Sequence, residues 1–206
     1  MYSLIIIFTA TFIYSGVQVI RYILNTQENK KIAEEISEYI TANPIENAEE
    51  TKEKINIDFN ALKKKNPDTV GYLKINGTDI DSIVVQGKDN EYYLSHNFEM
   101  NSNKAGWIFA DYRNKFDGTD KNIIIYGHNM KNGTMFSSLK KILNSDWQEN
   151  EENKYITFIT ENEDAIYEVF SIYKIENEDY YTTTKFSNDR SYQSFINEIK
   201  SRSIKK

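Results

Sequence analysis

His128 is the side chain in this sequence best placed to move a proton. It follows directly on the apolar run Asn122-Ile123-Ile124-Ile125-Tyr126-Gly127, which reads as a buried strand with a histidine just past its end. Strand ends on a rigid sheet are where catalytic groups are held precisely. Histidine is also the residue suited to taking and giving protons near neutral pH. By itself a histidine in this position is more often structural than catalytic. The second histidine, His96 in Leu94-Ser95-His96-Asn97, reads as a surface or helix-end residue. Asp111 and Arg113 could do acid–base work, but a structural ion pair or turn is the plainer reading. The run Glu149-Asn150-Glu151-Glu152 could hold calcium, although a solvated charge run explains it as well.

The composition narrows the chemistry. There are no cysteines, so disulfides and thiolate metal sites are excluded, and two histidines make a multi-histidine metal site improbable. No metal and no cofactor is therefore expected. A net charge of -6 argues against nucleic acid as a partner. Fifteen tyrosines and 11 phenylalanines suit half-buried pleated surfaces and favour β structure.

The elements that would position His128 can be read along the chain. Leu4 to Ile20 is almost wholly apolar and lies at the short end of the range for a membrane-spanning helix. An uncleaved anchor is expected rather than a signal peptide, because Met1-Tyr2-Ser3 carries no basic residue. Arg21, Lys30 and Lys31 follow the span, against the positive-inside tendency for an exported domain, so basic residues upstream of Met1 are expected. Tyr14 and Tyr22 suit membrane interfaces. Ile32, Ile36, Tyr39 and Ile40 share a helical face, and Asn43-Pro44 should end that helix. A second helix is expected from about Ala48 to Lys64, with Ile55, Ile57, Phe59 and Leu62 as its apolar set.

After Pro67 the periodicity shortens. Strands are expected at Val70–Ile75, Ile83–Val85, Gly106–Ala110, Asn122–Tyr126, Tyr155–Thr160 and Ala165–Ile175, with a tight turn at Asn76-Gly77. Short helices are expected at Asn90–Phe98, Thr134–Leu143 and Tyr192–Ile199. The fold class is mostly β with inserted helices. Three parts follow: residues 1–24 as membrane anchor, 25–66 as helical lead-in and 67–206 as a β-barrel domain.

Four segments in this order, Val84-Val85-Gln86-Gly87-Lys88-Asp89-Asn90-Glu91-Tyr92-Tyr93-Leu94, Asp111-Tyr112-Arg113-Asn114, Tyr126-Gly127-His128-Asn129-Met130 and Thr134-Met135-Phe136, resemble the class B sortases. These are cysteine transpeptidases of Gram-positive cell surfaces. The resemblance covers about Val70 to Ile204. It implies a closed eight-stranded barrel, of which about six strands are legible here, and a helix inserted at Tyr192–Ile199.

The resemblance also implies a reaction. A thiolate attacks the Thr carbonyl of an Asn-Pro-x-Thr-type sorting signal, a thioester forms, and an amine of a peptidoglycan precursor resolves it. His128 would protonate the leaving amine and deprotonate the incoming one, and an arginine would stabilise the oxyanion. Asn90, Leu94, Tyr181 and Thr182 would line the sorting-signal groove. The implied partners are surface proteins with C-terminal sorting signals, the precursor amine and the membrane. The implied location is the cell membrane, single-pass, with the catalytic domain outside.

The sequence departs from the family at its nucleophile. The family's cysteine ends a seventh strand in a Thr-Leu-Ser-Thr-Cys stretch, its arginine opens an eighth, and neither pattern occurs up to Lys206. Arg113, Arg190 and Arg202 do not occupy the arginine's motif. A C-terminally truncated enzyme is the expectation, inactive in these 206 residues for lack of a thiol. The alternative is a membrane-tethered domain that binds sorting-type peptides without cleaving them.

Overall fold

A computed structural model describes residues 2–44, 53–176 and 180–204. Helix α1 spans Tyr2–Ser37 without interruption, so the apolar span and the charged segment behind it form one rod. Its apolar start is not buried, whereas Asn29, Ile32 and Ile36 are buried against the domain.

Strands β1 (Ile40–Pro44) and β2 (Glu53–Ile57) then pair antiparallel, with Ile40 opposite Ile57 and Ala42 opposite Ile55. This corrects the helix expected over about 48–64. The helix α2 covers only Phe59–Lys65, with the Asp58 carboxylate accepting from the Ala61 amide. Ile55 and Ile57 alternate with polar residues at the period of a strand, and that pairing outweighs helical spacing. The part of the expected helix over residues 45–52 lies outside the described residues.

The domain is a curled half-barrel of six strands: β3 (Thr69–Ile75), β4 (Asp81–Val85), β5 (Phe109–Ala110), β6 (Ile125–Tyr126), β7 (Tyr155–Ile159) and β8 (Asp164–Glu168). Their spatial order is β6-β5-β4-β3-β7-β8, so β6 and β8 are the outermost among the described residues. All pairs are antiparallel except β4 with β5.

Period-2 alternation sends neighbouring residues to two different cores. Tyr72, Ile83, Val85, Phe109 and Tyr126 face one cluster, closed by Ile32 and Ile36 of α1 and by Phe59 and Leu62 of α2. Leu73, Val84, Ala110, Ile125 and Phe158 face the other. On that second face lies a cavity of about 600 Å³ between the sheet and Phe195 and Ile199 of the helix α4 (Asp189–Arg202). α4 and the short helix α3 (Ser145–Glu149) complete the helical set, and Phe136–Leu143 forms a 3-10 helix where a helix was expected.

Several expected elements are shorter, for visible reasons. The helix over Asn90–Phe98 is a single 3-10 turn, Tyr92–Leu94. The Tyr93 and Ser95 carbonyls are taken by the Trp107 and Asn103 amides, so they cannot continue a helix. The strand over Asn122–Tyr126 shrinks to two residues because the Ile124 amide donates to the Asn114 side chain instead of a strand. The strand over Ala165–Ile175 stops at Glu168. Beyond it Ile172 is bonded to Ser203 and Ile204 at the end of α4, which draws the chain off the sheet.

Gly106 has φ +61, and an added Cβ would stand 2.4 Å from the Tyr93 carbonyl oxygen. Gly118 has φ +80 with open space around it. Gly118→Ala is expected to cost only the left-handed backbone, about 1–2 kcal/mol. Gly106→Ala adds a backbone clash and should cost roughly 3 kcal/mol or more. Urea unfolding midpoints of the two variants check the ordering.

Candidate active site

Gly127 lets the chain pass beneath the Phe136 ring, since a Cβ there would lie 2.8 Å from Phe136 Cγ. Beyond it the chain closes on itself. The Phe136 amide donates to the His128 carbonyl at 2.9 Å, and Asn129 bridges Met135. This short closed loop presents the half-buried His128 imidazole, whose Nε2 lies 2.7 Å from the Leu94 carbonyl oxygen. A carbonyl only accepts, so Nε2 carries the proton and the neutral ring has its lone pair on Nδ1. Nδ1 is thereby the atom left to exchange a proton.

The second part of the site is a carboxylate. Asp111 leaves the end of β5 fully buried. Arg113 grips it twice, Nε to Oδ1 at 2.8 Å and Nη2 to Oδ2 at 2.7 Å, and the Arg113 amide adds a third bond. Tyr126 Oη and Asn90 Nδ2 donate to Oδ2, both at 2.9 Å. Burial alone would raise the Asp111 pKa. The Arg113 guanidinium, the Arg113 amide, Tyr126 and Asn90 outweigh it and hold the carboxyl well below the usual range. Burial and the bond to Asp111 push the Tyr126 phenol up to about 12, so it stays a donor at neutral pH.

Of the four groove candidates, Asn90 bonds this carboxylate directly and Thr182 reaches it through Arg113. Asn90 donates to Asp111 and accepts from the Tyr112 amide. Arg113 Nη2 also donates to the Thr182 carbonyl at 2.9 Å, and the neighbouring Tyr181 carbonyl accepts from Asn122. Leu94 belongs to the histidine instead: its carbonyl accepts from His128 while its side chain is exposed. Tyr126 joins the halves, because its hydroxyl is on Asp111 and it stands two residues before His128. His96 stands apart, stacked on Tyr92 at 4.0 Å with Nδ1 2.8 Å from the Tyr92 carbonyl. Among the described residues no cluster of three or more His, Asp or Glu could hold a metal ion.

Sequence reasoning paired Asp111 with Arg113 but missed Tyr126 as the link. The signal was a tyrosine closing an otherwise aliphatic strand, a polar tip that must find a partner when buried.

Comparison with known proteins gives this geometry a family. The Sortase domain family matches residues 73–197. Sortase B of Listeria monocytogenes is 33% identical over 204 residues, covering 98% of this chain and 80% of that protein. The chain belongs to the sortase family, in its class B branch. Sortase B from B. anthracis superposes with a TM-score of 0.71 at 34% identity, covering 88% of this chain and 83% of that one. The Staphylococcus aureus sortase B–substrate complex gives 0.66 at 39% identity, covering 70% and 66% respectively. Sortases of this class are cysteine transpeptidases, which fixes the kind of reaction to which the site is related.

Asp111→Asn keeps the shape and removes the charge that Arg113 grips. It is expected to destabilise by about 3 kcal/mol, the range for breaking a buried ion pair. The folded carboxyl has a lowered pKa, so its contribution is complete above the unfolded value near ~3.9 and fades as pH falls through the folded one. Wild-type stability should therefore drop more steeply below about pH 4 than that of Asp111→Asn. Denaturant titrations over pH 2–7, read by tryptophan fluorescence, compare the two slopes.

Proposed function

We propose that this protein works as a class B sortase, joining surface proteins with an Asn-Pro-x-Thr-type sorting signal to an amine of a peptidoglycan precursor. The observation that carries the reading is His128 at the end of β6, oriented through Nε2 on the Leu94 carbonyl and linked through Tyr126 to the Asp111 network. Nδ1 then gives a proton to the departing amine and takes one from the incoming amine. Asn90, Leu94, Tyr181 and Thr182 bind the signal peptide. In support, Asn90 bonds Asp111, Thr182 is tied to it through Arg113, and Leu94 bonds the histidine, so these three belong to one connected region, with Tyr181 next to Thr182 in the chain. A staphylococcal relative is known as a substrate complex.

The three parts of the chain keep their proposed roles: residues 1–24 anchor, 25–66 connect and 67–206 act. The first part of α1 is apolar, exposed and long enough to cross a bilayer, which supports a single-pass anchor; the outer side for the domain follows from the sortase reading.

A specific observation favours a second reading, peptide binding without cleavage: the 206 residues contain no cysteine. On either reading this chain by itself forms no thioester, because no thiolate is available to displace the Thr amide.

Two measurements separate the outcomes. Intact-mass analysis after incubation with an Asn-Pro-x-Thr peptide should show no acyl adduct, and a trapped thioester would overturn the expectation. Fluorescence anisotropy should show the labelled peptide binding more tightly than its scramble. Leu94→Ala and Tyr181→Ala should each weaken it about tenfold, roughly 1.4 kcal/mol. Equal binding of peptide and scramble removes the sortase-type recognition itself.

A further inference from the structure

The anchor helix does more than tether. Gln18, Tyr22, Asn25, Asn29, Ile32 and Ile36 recur at steps of four and three, so they form one stripe along α1. The stripe docks on the two segments that meet at His128. On one side Asn132 binds twice: its amide donates to Tyr22 Oη at 3.1 Å, and its side chain donates to Thr26 at 2.8 Å. On the other, Asn29 donates to the Gly106 carbonyl at 2.9 Å, and Asn103 donates to the Asn25 carbonyl, Glu28 and Asn29. Lys104 Nζ reaches Gln18 at 3.2 Å.

These contacts set a depth. Side chains on a helix lean toward its N-terminus, here toward the apolar run. The Asn132 amide therefore sits level with about Ile20, where that run ends, with its side chain higher at Thr26, and the Lys104 ammonium reaches down to Gln18, inside the run's last turn. The run Leu4–Ile20 is roughly 25 Å long at 1.5 Å per residue, close to the hydrocarbon thickness of a bilayer. Both contact points thus fall in the headgroup layer once the run is inserted. Exposed basic side chains stand there: Arg21, Lys104 and Lys131. Glu28, about two turns further along α1, accepts from Asn103.

Building on the anchor reading above, we propose that α1 seats the domain on the bilayer as a rigid strut, with the face carrying Arg21, Lys104 and Lys131 against anionic lipid headgroups. His128, four residues before Asn132 in the same closed loop, then works at the membrane surface. A sorting signal or acceptor held at that surface meets the site without a long excursion. Basic residues within a Debye length of an anionic leaflet are attracted to it, which reinforces the pose.

The absence of cysteines permits clean labelling of the full chain. Phe12→Cys, Lys131→Cys and Glu35→Cys each take an environment-sensitive fluorophore, in vesicles of phosphatidylcholine and phosphatidylglycerol. Glu35 is the control, because it stands roughly 22 Å further along the same helix than Ile20. Quenching is read with spin-labelled lipids. Phe12 should respond to acyl-chain quenchers, and Lys131 to headgroup quenchers several-fold more than Glu35. Quenching at Phe12 with Lys131 as silent as Glu35 overturns the strut while leaving the anchor intact. No quenching at Phe12 overturns the anchor reading, and the strut with it.

Discussion

The buried carboxylate of Asp111 is the constraint around which the site is organised. A carboxylate removed from water costs several kcal/mol unless its lone pairs are filled. Asp111 accepts from Arg113 three times, from Tyr126 and from Asn90. Each donor belongs to a different part of the site, so satisfying one charge fixes the loop after β4, the end of β5 and the ring of β6. Arg113 extends the constraint to the loop at Thr182. An apolar residue at this position could fill the space but could not specify which donors converge.

The second constraint comes from outside the sheet. His128 meets the Leu94 carbonyl, and these two atoms belong to loops that no strand pairing holds together. α1 braces both, one through Asn132 and the other through Asn103 and Gly106. The brace is polar where it meets the loops and apolar further on, at Ile32 and Ile36, where it closes the core. The helix that carries the candidate membrane span thus also contacts both loops of the histidine site.

Strands marked by short β-branched and aromatic runs between turns were legible in the sequence: β3, β4 and β7 fall where those runs placed them. The His128 segment was legible because an aliphatic run ending in Gly-His is an unusual local pattern. Illegible features depend on partners distant in sequence. The β1–β2 hairpin looked helical because five residues with two isoleucines fit both periods, and only cross-strand pairing decides between them. The Tyr22–Asn132 contact spans 110 positions, and Tyr22 alone suggested no more than an interfacial aromatic. Asn90 looked free to bind peptide, yet its side-chain amide donates to Asp111 and its side-chain carbonyl accepts from the Tyr112 amide.

The path of the segment between Asn90 and Leu94 explains how two distant ends of the sheet become one site. β5 and β6 run antiparallel, so Asp111 and His128 lie toward opposite ends of that pair. Asn90 is bonded at the first end and Leu94 at the second. The turn between them crosses the pair with Tyr93 packed 6.4 Å from the Phe109 ring, and Phe109 in turn lies 5.2 Å from Tyr126. These aromatic rings belong to the same core that α1 and α2 cover, whereas the 600 Å³ cavity belongs to the other face of the sheet. The residues of the site are thereby held on the well-packed side. A change in what fills the cavity would reach His128 through Ile125 of β6 and through the Phe136 ring over Gly127, both of which line the cavity, Phe136 also closing the loop.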